Sequence, residues 1–287
     1  MKIVLSWLRE FVPLTAEPRE IAHQLTMLGL AVDAITHEDG ETIFELDITT
    51  NRPDCLNHFG VARELAAHYG LTLAAPFGLT IEAEARPRAR GKRKDGCVEI
   101  EATDLCLRYS ARILRGVEVK PSPDWLRKRL ELCGVRAINN IADATNYILL
   151  AYGHPLHAFD LDRLQGGRVV VRNARDGEKL KTLDGMERTL TPPDLVIADA
   201  KDAVALAGIM GGEASEISVQ TRNVLLEAAW FDPSTIRRTA KRLGMRTEAS
   251  YRFERGADLE ATIPAASKCA ELIQSLGGGE IDPVSLL

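Results

Sequence analysis

Two histidines, His154 and His157, stand three residues apart near the end of the stretch 133–160, CGVRAINNIADATNYILLAYGHPLHAFD. On a helix that spacing would let both reach one metal ion. Pro155 lies between them, and no Glu-x-x-His or cysteine partner accompanies them, so no metal site is expected. The residue types assemble no Ser-His-Asp or Cys-His arrangement either, so no covalent intermediate is expected. Gly208-Ile209-Met210-Gly211-Gly212 follows a strand pattern. No lysine or helix start comes after it, which argues against a phosphate-binding loop and against ATP as a ligand of this chain. His157 remains as a side chain that ordinarily titrates near neutrality and can orient a water or a bound group. Its plain alternative is a histidine that staples a loop through backbone carbonyls. Asn139, Asn140 and Asp143 read as cap and turn residues around the helix ADATNYILLAY and receive no chemistry.

The five cysteines (Cys55, Cys97, Cys106, Cys133, Cys269) are odd in number and widely spaced, with no Cys-x-x-Cys pair. This pattern suits reduced thiols in a cytoplasm better than a disulfide framework or a zinc site. Trp7, Arg9 and Glu10 interrupt any apolar core of a signal peptide, and no apolar run approaches the roughly 20 residues that span a bilayer. A hydrophobic content of 45% with 27% charge is that of a soluble globular protein. The net charge of −5 weighs against a protein that coats nucleic acid, so any RNA contact must come from local patches. One candidate patch is RPRARGKRK, with Arg86, Arg88, Arg90, Lys92, Arg93 and Lys94. Its plain alternative is a solvated linker. The other is RRTAKRLGMR, residues 237–246, where the basic side chains could equally form the wet face of a helix.

The elements that must position these residues follow from local signals. Pro18 opens a helix that runs to about Met27, with Gly29 as its cap. Residues 31–35 are extended, Glu38-Asp39-Gly40 turns, and 43–49 alternate as a strand. Asn51-Arg52-Pro53-Asp54 is expected to cap a helix ending at Gly70. Residues 85–96 lack hydrophobic period and form the expected linker. Beyond it, Ser122-Pro123-Asp124 opens a helix closed by Gly134, and Asp184-Gly185 signals a hairpin. CVEIEA, RYSARILRGVEV, GRVVVRNA, DLVIADA, AVALAGI and NVLLEAAW are strand candidates, and Asp232-Pro233-Ser234 starts a helix ended by Gly244. GHPLHAFD reads as a loop and turn. The result is an α+β chain: a small N-terminal α/β module (1–84), a basic linker (85–96), and a larger strand-rich mixed α/β domain (97–287).

Several blocks occur together and in order: MKIVLSWLREFVPL, LTMLGLAVDAI, ELDITTNRPDCLNHFGVARELAAHYG, the 133–160 stretch, LLEAAWFDPSTIRRTAKRLGMRTEASYRFERGAD and GGGEI. They resemble the beta subunit of phenylalanyl-tRNA synthetase over nearly the whole chain, including the domain that hydrolyses mischarged tRNA. The resemblance implies a cytoplasmic tRNA-editing module that partners the 3′ end of tRNA(Phe) and the alpha subunit of a heterotetramer. It implies no cofactor for this chain, with ATP and magnesium needed only by the complete synthetase. The oligonucleotide-binding barrel that most bacterial members carry is replaced here by a tight turn around residues 37–42.

The same resemblance implies a site. His157 and Glu227 are the expected catalytic pair, and Arg136, Gly208, Gly211, Thr247 and Ala249 the expected substrate-binding residues. Arg86, Arg88, Arg90, Lys92, Arg93 and Lys94 are candidate tRNA contacts. Glu227 would accept the hydroxyl proton of tyrosine, which phenylalanine lacks, and a positioned water would cleave the ester. Each residue keeps a plainer reading: Arg136 in a structural salt bridge, Glu227 satisfied by Arg222 or a backbone amide, Thr247 as a helix or turn cap. Two further roles stay open for the chain, a non-catalytic scaffold of the heterotetramer and a free-standing protein that edits in trans.

Overall fold

In the computed structural model, residues 1–75, 93–282 and 285–286 are described. The first part comprises β1 (Lys2–Val4), α1 (Leu5–Phe11), α2 (Pro18–Met27), β2 (Ala31–Glu38), β3 (Glu41–Asp47) and α3 (His58–Tyr69). Its sheet is antiparallel, in the order β1-β3-β2. Asp39 and Gly40 both take positive φ, 49° and 77°, so the Asp-Gly pair makes the two-residue hairpin turn its chemistry favours. Only this turn separates β2 from β3, where the barrel insertion was expected to be missing. The expected cap of α3 needs correction. Asp54 is engaged by Arg52 and Arg63, residues Pro53–Cys55 form a separate 3-10 turn, and the side chain of Asn57 caps α3 by accepting from Gly60 N.

The larger part begins earlier than expected. Arg93–Asp95, assigned above to the linker, form an edge strand β4 that pairs with β5 (Val98–Ile100) across a tight turn at Gly96. Then follow β6 (Cys106–Arg115), α4 (Asp124–Leu132), α5 (Asn140–Tyr152), β7 (Leu156–Asp160), β8 (Val169–Asn173), β9 (Lys179–Lys181) and β10 (Glu187–Thr189). The chain continues through β11 (Leu195–Ala198), β12 (Ala203–Leu206), β13 (Met210–Gly211), β14 (Asn223–Phe231), α6 (Pro233–Leu243), α7 (Glu248–Phe253) and α8 (Thr262–Gly277). The short strands β15 (Glu280–Ile281) and β16 (Ser285–Leu286) close the series. The class is α+β, as expected.

Two sheets stack in this part. One runs β13-β12-β11-β8-β5-β4, and the other β15-β6-β14-β7, with β16 also on β6. Strand alternation decides what lies between them. Leu225, Ala229 and Phe231 of β14 join Tyr109 of β6 and Phe159 of β7 against Val171 and Ile197 of the opposing sheet. Val224 and Leu226 face the other way, onto α5 and α8 through Ile148, Ala265 and Ile273. Glu227 shares the parity of Leu225 and Ala229, so β14 delivers its carboxyl to the space between the sheets.

Buried polar staples join the two parts. Leu126, Leu130 and Leu132 of α4, with Leu150 and Ala151 of α5, sit in the core of the first part. His58 is fully buried against Trp7. Its Nε2 accepts from Val4 N at 3.0 Å, and its Nδ1 lies 2.9 Å from Leu150 O. Arg252 of α7, also buried, donates twice to Leu56 O at 3.1 and 2.7 Å. Among the described residues no helix is long and apolar enough to cross a membrane.

Candidate active site

His157 lies on a strand, which corrects its placement in a loop. Gly153 closes α5 in the left-handed conformation (φ 81°), Pro155 prevents the helix from resuming, and Leu156–Asp160 then pair along β14 as β7. The register sets His157 directly opposite Glu227. Such partners share one face of the sheet with Cβ atoms about 5 Å apart, so the expected pair is brought together. Glu227 lies in the middle of β14, not at its end.

Both side chains line a pocket of about 60 Å³. Its walls are mostly apolar, with Leu156, Ile197, Leu206, Met210 and Phe253 among them, and among the described residues no serine, threonine, cysteine or lysine is in the lining. Gly208, Gly211 and Ala249 line it as expected. Gly208 needs its glycine twice over: φ is +66°, and a Cβ there would meet Phe253 Cδ2 at 2.9 Å. Gly211 serves by smallness alone, since a Cβ would come within 2.4 Å of His157 Cε1.

Thr247 does not line this pocket. Its hydroxyl accepts from Ser250 N as the cap of α7 and donates to Ile209 O at 2.9 Å, so its proton is already committed. Thr247 therefore holds the glycine loop in place. Arg136 is exposed and absent from the lining. It follows Gly134, the left-handed stop of a helix whose leucines pack on the first part of the chain, and the fold does not bring it into the lining shared by His157 and Glu227. Arg86, Arg88, Arg90 and Lys92 lie outside the described residues. Arg93 and Lys94 fall on β4, the edge opposite β13 and Gly211. Five strand spacings separate those edges, roughly 24 Å at about 4.8 Å each. These two positions do not flank the pocket.

The electrostatics follow from burial. Glu227 is only 5% exposed, and desolvation raises its pKa to about 8. A hydrogen bond from Tyr109 opposes that shift: the phenol donates to Glu227 Oε2 at 2.8 Å. Arg222 plays no part, because its guanidinium donates to Val219 O and Thr221 O. His157 is half-buried and packs edge-on against Phe159. The atoms around it lower its pKa to about 4, so the near-neutral titration expected for it does not survive folding. At pH 7 the ring is neutral, with one nitrogen donating and one accepting. His154 is buried with neither ring nitrogen bonded among the described residues. Among the same residues, the one set of donor atoms close enough to share a cation is Asp54, Cys55 and Glu64, and its carboxylates are already paired with Arg52 and Arg63. Tyr109 is the site residue that sequence reasoning missed, because it reads as one more apolar position of a strand.

The B3/4 domain family matches residues 105–278. The phenylalanine–tRNA ligase beta subunit of Anaeromyxobacter dehalogenans is 51% identical over 256 residues, which is 89% of this chain and 31% of that protein. That of Geobacter metallireducens is 52% identical over 255 residues, 88% of this chain and 31% of its own length. The chain thus spans about a third of the length of these relatives. A solved N-terminal fragment of the phenylalanyl-tRNA synthetase beta subunit from Pyrococcus horikoshii superposes with a TM-score of 0.45 at 17% identity, covering 98% of this chain and 74% of that one. The chain is a member of the B3/4 domain family, of the branch found in phenylalanine–tRNA ligase beta subunits.

Proposed function

We propose that this chain edits tRNA(Phe) mischarged with tyrosine, by hydrolysing the ester bond within a two-subunit phenylalanine–tRNA ligase. The observation that carries the reading is the cross-strand pair of His157 and Glu227 in an otherwise apolar pocket. An aminoacyl ester is already activated, so its hydrolysis needs a positioned water more than a nucleophilic side chain. The lining offers no such nucleophile, and it does offer a neutral imidazole able to hold a water. The buried carboxyl of Glu227 supplies selectivity. A site built to bond a hydroxyl rejects the analogue without it by roughly 10⁴ to 10⁵, since its polar group is then left unpaired.

The interior space is smaller than a tyrosine side chain. Met210 and Leu156 are half-buried in its wall, and methionine is a side chain that repacks easily around a ligand. The tRNA 3′ end and the synthetase alpha subunit are the partners this reading assigns, with aminoacylation left to the alpha subunit.

The test is release of tyrosine and of phenylalanine from tRNA(Phe), measured for the chain and for the assembled enzyme. Selective tyrosine release is expected, with the Tyr/Phe ratio lost in Glu227→Gln and the rate of tyrosine release lost in His157→Ala. If both variants release tyrosine at the unsubstituted rate, the site lies elsewhere. A uniformly inert chain and assembled enzyme would support the scaffold role.

A further inference from the structure

Tyr109 is fully buried on β6 and is not among the residues that line the pocket. In the register of β6 with β14, Glu227 faces Ala111, and Tyr109 lies two residues along on the same face. A long aromatic side chain spans that diagonal, and its hydroxyl ends 2.8 Å from Glu227 Oε2. The carboxyl of Glu227 makes no other hydrogen bond among the described residues. Its Oε2 is therefore held from behind, and Oε1 is left as the oxygen available to the pocket.

We infer that Tyr109 is a positioning residue for specificity: it pins one oxygen of Glu227 so that the other is held as the single hydroxyl-recognition atom of the pocket. The inference rests on the editing function proposed above. Two physical consequences give it content. The first is orientational. The terminal torsion of a glutamate is broad and roughly two-fold, so an unpinned carboxyl would turn between orientations and blur its contact with the substrate. The second concerns the proton. Because the phenol donates to Oε2, a proton bound by Glu227 must sit on Oε1. Ionised, Oε1 accepts from the tyrosine hydroxyl; neutral, it donates to the same hydroxyl oxygen. Phenylalanine can answer neither form, and the ionised oxygen is the stronger partner for the hydroxyl, so the Tyr/Phe ratio changes across the titration of Glu227 without vanishing on either side. The phenol is suited to this task, since burial and the neighbouring carboxyl raise its pKa well above the ordinary value and keep it a donor.

The obvious alternative is that Tyr109 is simply a core aromatic, and Tyr109→Phe separates the two because it keeps the ring and removes only the hydroxyl. The experiment measures release of tyrosine and phenylalanine from tRNA(Phe) from about pH 5.5 to 9, together with thermal unfolding. Tyr109→Phe is expected to lower the Tyr/Phe ratio by roughly tenfold to a hundredfold, the scale of one buried hydrogen bond lost to a charged partner. The midpoint of the pH dependence is expected to move up, because the carboxylate loses its fixed donor. Incorporating 3-fluorotyrosine at position 109 keeps the shape and strengthens the donor, so it should move the midpoint down; it also covers the case in which Tyr109→Phe does not fold. If Glu227→Gln abolishes selectivity while both changes at 109 leave ratio and midpoint untouched, the role of Tyr109 is overturned and the editing function stands. If Glu227→Gln itself leaves the ratio unchanged, the editing function fails.

Discussion

Gly211→Val is expected to lower tyrosine release at least a hundredfold while the chain still unfolds cooperatively near the parent temperature. A Cβ at this position would lie 2.4 Å from His157 Cε1, 2.6 Å from Nε2 and 3.1 Å from Leu183 Cδ1. Carbon atoms pack at about 3.5 to 4.0 Å, so the imidazole must move by roughly 1 Å or more. Displacement on that scale at a reacting centre can cost about 10² in rate. Gly211 does not hold a left-handed backbone, so the substitution adds a steric demand without backbone strain. Gly208→Ala gives the contrast. There the side chain must adopt φ +66° and also meet Phe253 and Phe231, so stability itself is expected to fall, by about 1 to 3 kcal/mol. Deacylation rates beside thermal melts distinguish the two cases. Unchanged tyrosine release in Gly211→Val would remove His157 from the reacting centre.

Acid is expected to destabilise the chain well before its carboxylates titrate. His58 and His154 are buried and neutral, with pKa values lowered to about 3 and about 4. The unfolded chain takes up protons at these positions near pH 6.5, whereas the folded chain resists until far lower pH. Stability therefore falls as pH drops from about 6.5 toward the folded values, by an amount on the order of 3 to 5 kcal/mol for each. His157 adds in the same direction. Glu227 acts in the opposite sense: with a folded pKa of about 8, it loses stability as pH rises from about 4.5 to 8. Denaturant titrations at pH 7 and about pH 5 should show the loss. His154→Leu is expected to flatten it, because neither of its ring nitrogens holds a hydrogen bond that would be sacrificed. The same logic makes Glu227→Gln more stable than the parent above about pH 8, the familiar exchange of stability for a functional buried charge. An identical pH dependence in parent and His154→Leu would show that this ring is not buried neutral.

Short-range chemistry was legible in the sequence. Asp39-Gly40, Gly70, Gly134 and Gly244 all take the positive φ that their turn or cap position calls for, and Asp232 caps α6 through Thr235 N. These features are decided within about four residues, by the conformational freedom of glycine and the reach of a short side chain. Alternation likewise marked β3, and the apolar runs RYSARILRGVEV and NVLLEAAW marked the long strands β6 and β14, and with them the α+β class. The resemblance then supplied His157, Glu227 and the glycines that the fold gathers into one pocket.

Only the tertiary structure decided that His157 sits on a strand, that Arg136 is left outside, and that Thr247 serves the glycine loop. LHAFD becomes β7 because β14, some 70 residues further on, offers it an edge, and no local signal carries that information. The partner of Glu227 is Tyr109, 118 residues away along the chain, reached because two strands align in one register. The shifted titrations of Glu227 and His157 have the same origin. An isolated side chain carries its ordinary affinity for protons; the apolar walls that change it are assembled from β7, β11, β12, β13 and α7, which meet only in the folded molecule.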